Sequence, residues 1–170
     1  MSSPLLSRLT SPTTVAMGAA LGLFVAGVLA IVGGSYAHKI VHDQLEPQKI
    51  TFADKGLPPG IEEYAGKQVV DGGTAKVFAD EYIGVHLKEA AGGQTYAQVS
   101  GKALANPKDA KLAEQTQTLF RGETLRGLLL YSWGFGVIGT IALIAGWILV
   151  VLGVILFILP ALATRRARTA

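Results

Sequence analysis

Two uncharged apolar blocks limit what this chain can fold into more than any other feature. From Val15 to Ala37 the sequence reads VAMGAALGLFVAGVLAIVGGSYA, with no charged residue. At about 1.5 Å of rise per residue, a helix of that length crosses the roughly 30 Å hydrocarbon core of a bilayer. The second block runs from Leu128 to Leu162 and includes WGFGVIGTIALIAGWILVVLGVILFILP, Trp133 to Pro160. A soluble fold would have to bury both blocks under other chain, and 170 residues leave too little to do so. The predicted fold class is membrane all-α, with two transmembrane helices and a small, mainly helical extracytoplasmic domain inserted between them. The expected segments are a tail over 1–14, a span over 15–37, a cap over 38–127, a span over 128–162 and a basic tail over 163–170.

Charge sets the expected orientation. All twelve acidic residues lie between Asp43 and Glu123, whereas Arg8, Arg165, Arg166 and Arg168 flank the apolar blocks on their other sides. Basic residues are retained on the cytoplasmic side of spans, so both termini are expected in the cytoplasm, with the middle outside a cell inner (plasma) membrane. His38, Lys39, Arg121 and Arg126 oppose this locally but are outweighed. A cleaved signal peptide is the competing reading of the first block. Ser35 and Ala37 are the small residues a processing site uses, but the block exceeds the usual h-region of about 7–15 residues. The arginines next to the second span suit anionic lipid headgroups. They lack the interleaved aromatics of a nucleic-acid surface, and no nucleic-acid partner is expected.

The second block is longer than a perpendicular span requires, which predicts tilt or a projecting first turn. Tyr131 and Trp133 suit an interfacial position, and Trp147 a packing role in mid-span. Within the first block Gly18, Gly22, Ala26, Ala30 and Gly34 recur every four residues, a strip of small side chains that lets another helix approach closely. The second block carries Gly136 and Thr140 at the same spacing and Gly146 beyond them. These eight residues are the expected helix-packing or partner contacts, within the chain, with a second copy, or with another membrane protein.

Between the blocks, residues 49–52 read as extended, and Pro58, Pro59 and Gly60 as irregular chain. Thr74 is the expected N-cap of a helix over residues 75–91 that ends at Gly92 and Gly93. The stretch TYAQVS reads as a short extended piece. Asn106 and Pro107 are expected to open a last helix that runs into the second span, with Gly122 and Gly127 as bend points.

The chemistry-bearing residues form no recognisable constellation. With no cysteine there is no thiolate chemistry. His38 and His42, with Asp43 and Glu46 nearby, are metal-capable but lack an H-E-x-x-H arrangement. Gly72-Gly73 and Gly92-Gly93 lack a phosphate-loop lysine, and Glu62-Glu63 reads as solvated. No catalytic residue, metal site or cofactor is therefore expected, nor is enzymatic activity the leading expectation. Arg121, Glu123 and Arg126 stand where the middle region meets the bilayer, as interface or lipid contacts. Phe78, Tyr82 and His86 are four apart on one helix face and outline a possible ligand cleft.

The segments YIGVHLKEAAGGQTYAQVS (Tyr82 to Ser100) and QTLFRGETLRGLLLYSWGFGVIGTIAL (Gln117 to Leu143), with VHDQLEPQKITF, resemble a family of small actinobacterial two-span membrane proteins. The resemblance covers most of the chain and implies the same two spans and inserted domain. Members have carried an aromatic ring-opening dioxygenase label, but an iron site of clustered histidines with a carboxylate is not recognisable here. The leading expectation is a non-catalytic accessory, scaffold or assembly subunit of a cell-envelope membrane complex, with a membrane-protein partner or a second copy, and lipids, as its contacts. An extracytoplasmic lipid or small-ligand binding or sensing module is the alternative, followed by a membrane enzyme with a site near the outer interface.

Overall fold

The computed structural model describes residues 12–169, with side-chain environments over 13–159. Arg8 lies outside the described residues, as do the side chains of Arg165, Arg166 and Arg168 and hence the detail of both expected tails. The protein is mostly helical. Two long apolar helices flank a smaller helical domain, and there is no sheet among the described residues. Helix α1 is Pro12–Leu45, α2 is Gly72–Val77, α3 is Gly84–Ala90, α4 is Tyr96–Ala105 and α5 is Ala110–Thr169. A π-helical segment, Phe78–Ile83, joins α2 to α3.

The most apolar 18-residue window of each long helix is only 11% buried within the protein. Leu21, Leu29, Val32, Ile138, Ile141 and Trp147 are all exposed. Water would penalise that much continuous apolar surface, and hydrocarbon would not.

The chain forms two compact units. One is built from α1 up to Tyr36 and from α5 onward from Ile138; the other spans Ala37–Val137. The second apolar block is thus divided. Its first turns belong with the cap, because Leu129 is buried in the cap core and Gly72 packs against Ser132 and Trp133. What is left, Ile138 to Leu162, spans about 37 Å at 1.5 Å per residue, enough for one bilayer crossing.

In the cap unit, Val41 and Leu45 of α1 and Leu129 of α5 enclose Phe52, Ile61, Val69, Ala75, Phe78 and Ala79. The irregular chain closes on itself at an isolated bridge between Thr51 and Gln68, flanked by hydrogen bonds from Phe52 N to Lys67 O and from Val69 N to Ile50 O. The extended reading of residues 49–52 is met only around the Thr51 bridge; Lys49 is left-handed, with φ 56°, and closes the 3-10 turn Glu46–Gln48. A second cluster, Leu87, Ala91, Val99 and Leu119, ties α3 and α4 to α5.

Three helix starts differ from the sequence reading. Asp71, not Thr74, caps α2: its Oδ1 accepts from Thr74 N at 2.8 Å, and Thr74 Oγ1 accepts from Asp71 N, a reciprocal box. TYAQVS is helical, opening α4 with a second box in which Thr95 Oγ1 accepts from Gln98 N and Gln98 Oε1 from Thr95 N. Tyr96 and Val99 are three apart, a helical spacing, and both pack on the second cluster. At the start of α5, Asp109 Oδ1 accepts from Leu112 N, so Asp109 takes the capping role assigned to Asn106. α5 then continues without interruption through Gly122 and Gly127. Gly122 is a seat for Leu87, since a Cβ there would lie 2.3 Å from Leu87 Cδ2.

Candidate functional site

The helix pair is held by close backbone approach. A Cβ on Gly27 would stand 2.7 Å from the Gly146 carbonyl oxygen, and one on Gly146 2.7 Å from the Gly27 oxygen. A Cβ on Gly34 would stand 2.6 Å from the Gly139 oxygen, and one on Gly153 2.8 Å from the Ala20 oxygen. Real side chains do not come that near, so the four glycines set the separation of the helices. The partners are Ala20 with Gly153, Gly27 with Gly146 and Gly34 with Gly139. One number rises by seven as the other falls by seven, so the helices run antiparallel.

The seam therefore repeats every seven residues, not every four. In a helix of about 3.6 residues per turn, seven residues fall some 20° short of two full turns, whereas four overshoot one turn by about 40°. A four-residue strip winds around the helix, and a seven-residue strip stays on one face. Of the small residues in the first block, Gly34 is in the seam, Ala30 is half-buried at its edge, and Ala26 is exposed. Gly18 and Gly22 have open space where a Cβ would be. In the second block Gly146 is in the seam, while Thr140 is exposed. Gly136 belongs to the cap unit, where a Cβ would meet Gly72 Cα at 3.5 Å.

Within the cap unit, Arg126 donates from Nη2 to Asp80 Oδ1 at 3.0 Å and from Nη1 to Glu123 Oε2 at 3.3 Å. Lys76 pairs with the other Asp80 oxygen. Arg126 Nε is buried without a hydrogen-bond partner, 3.5 Å from where a Cβ on Gly84 would sit. The hydrogen bond from Lys76 holds the Asp80 carboxyl below its ordinary value; partial burial opposes this, and the bond from Arg126 adds to it. The network fastens the π segment to α5. Arg121 is exposed. Asp80 is the member that sequence reasoning missed: its pair with Lys76 is a local i,i+4 contact, but Arg126 lies 46 residues away and no local pattern links the two.

Phe78, Tyr82 and His86 form an aromatic column, with ring centroids 4.8 Å apart between the first two and 4.6 Å between the last two. Phe78 is buried against Phe52, Tyr82 is half-buried, and His86 is exposed with Nδ1 2.6 Å from the Tyr82 carbonyl oxygen. The rings fill the space between one another. His42 lies between two acceptors, the Val70 carbonyl oxygen at 3.1 Å from Nδ1 and Glu46 Oε2 at 3.5 Å from Nε2. Glu62 accepts from Gly60 N, closing its own loop. Among the described residues no group of three or more His, Asp or Glu side chains is placed to hold a metal ion.

No family model matches the chain, and no curated protein or solved structure is significantly similar to it.

Proposed function

We propose that the protein is a non-catalytic accessory or assembly subunit of a cell-envelope membrane complex, with both termini in the cytoplasm and the cap outside. The observation that carries this reading is the division of labour among the small residues of α1. Gly27 and Gly34 are committed to α5, while Gly18 and Gly22, on a different side, meet nothing within 4 Å. Glycines cost helix stability, and in a span they are recovered by close packing against another helix. The cap supports the same reading, because its conspicuous aromatics and ion pairs are used in holding the cap together. The resemblance to actinobacterial two-span proteins is the ground for placing it in that kind of envelope.

Gentle detergent extraction followed by mass spectrometry tests the proposal. A reproducible membrane-protein partner or a second copy is expected, lost in Gly22→Leu, which leaves the intramolecular seam untouched. Recovery of a monomer with no reproducible partner would count decisively against it.

A further inference from the structure

The first turns of the second apolar block, which belong to the cap unit, carry a bare apolar face on α5. Leu128, Tyr131 and Phe135 are exposed by 59%, 71% and 59%. At about 100° per residue they share an arc of about 80° with Ile138, which is also exposed. No residue from Gly127 to Thr164 is charged. The face therefore runs without a polar break into the surface that the span presents to hydrocarbon. Thr124, exposed on the same arc, ends it on the cap side.

The other long helix differs at the same distance from the seam. Counted along α5 from the contact between Gly34 and Gly139, Phe135, Tyr131 and Leu128 stand about 6, 12 and 17 Å away, at about 1.5 Å per residue. On the same scale Lys39 and Asp43 stand about 8 and 14 Å along α1. They form an ion pair whose side chains are 67% and 48% exposed. One helix is thus ionic over the stretch where the other is apolar. The ion pair needs water. Tyr131, an apolar ring tipped by a hydroxyl, suits the layer between hydrocarbon and headgroups. A membrane surface perpendicular to the helix pair does not serve both. A lean toward the α5 side does, because membrane helices tilt by about 20° on average, and a tilt lowers one side of a pair while raising the other. A second copy is the weaker occupant. Two copies meeting on these three side chains would bury on the order of 900 Å², short of the roughly 1,200 Å² at which stable interfaces begin.

We propose that the Leu128, Tyr131 and Phe135 face of α5 lies in the interfacial lipid layer of the leaflet on the cap side, with Lys39 and Asp43 kept in water. The protein then leans onto one flank of its cap. The proposal rests on the two long helices crossing a bilayer and not on the partner reading above, which concerns Gly18 and Gly22.

The chain has no cysteine, so single nitroxide labels report position directly. Leu128→Cys, Tyr131→Cys, Phe135→Cys, Lys39→Cys and Asp43→Cys all lie at exposed sites, and Leu104→Cys on α4 serves as the water reference. Each labelled full chain is reconstituted into phosphatidylcholine vesicles, and its collision rates with oxygen, which partitions into lipid, and with a neutral water-soluble nickel chelate are measured. The oxygen-to-nickel ratio should rise stepwise from 128 through 131 to 135 and exceed that at 39 and 43 severalfold. Positions 39 and 43 should match 104. Ratios at 128, 131 and 135 equal to that at 104 would leave the face in water and overturn the proposal. Low collision rates with both reagents at these positions would show the face covered by protein and overturn it equally. Dipolar broadening between labels at 131 would identify that protein as a second copy, with the same consequence.

Discussion

Asp80 has a role at the residue scale that its neighbours in sequence do not disclose. Asp is an unremarkable helix-surface residue in FADEYI, yet here it accepts from Lys76, four residues back, and from Arg126, 46 residues on. Both bonds need the ionised carboxylate, which is why its pKa is lowered. A depressed carboxylate contributes stability that is fully present above the ordinary Asp value near 3.9 and is lost as pH falls through the lowered value. Cap unfolding followed by urea titration should therefore show an acid-side loss, below about pH 4, that Asp80→Asn lacks. At neutral pH the same substitution should cost about 1 kcal/mol, a charge-assisted hydrogen bond discounted for partial exposure. The sequence marked Arg126 and Glu123 as boundary residues, because a charge next to an apolar block is visible to inspection. The third partner was invisible because a contact across 46 residues leaves no periodic trace.

The antiparallel seam of α1 and α5 is an element-scale device, and it separates glycines that look alike in sequence. Gly18 and Gly27 both lie in an uncharged span, but only Gly27 faces backbone at 2.7 Å. Gly27→Leu or Gly146→Leu should force the helices apart and cost at the upper end of the roughly 1–3 kcal/mol for overpacking. Gly18→Leu should be close to neutral. Thermal unfolding of the three variants in dodecylmaltoside, followed by circular dichroism, distinguishes them; a Gly18→Leu variant as unstable as Gly27→Leu would show that the seam is misplaced. A similar economy holds in the cap helices. The boxes Asp71 with Thr74 and Thr95 with Gln98 start helices where the sequence reading placed a different cap and an extended segment. The T-x-x-Q signal is present in the sequence, and the spacing of three between Tyr96 and Val99 suits the helix that TYAQVS forms rather than an extended piece.

For the whole molecule, the two crossings and their lengths are the governing fact. The absence of cysteine makes the expected orientation directly testable. Leu104, 80% exposed on α4, can be replaced by Cys. A membrane-impermeant maleimide added to intact cells should label Leu104→Cys without permeabilisation, and labelling only after permeabilisation would reverse the topology. The sequence by itself determined that two helices would reach membrane length and that a small helical domain would lie between them. Apolarity, uncharged length and turn residues are local properties, and hydrocarbon selects on them directly. It also carried the prediction of an unbroken helix from the cap into the second span, since nothing after Pro107 interrupts the pattern before the membrane. Only the tertiary structure decided which glycines pair, that the first turns of the second apolar block carry the cap core, and that Asp80 holds Arg126. Each of these depends on which face one helix turns toward another, and that is set by the packing of distant segments and by a rotation of a few tens of degrees accumulated along the helix.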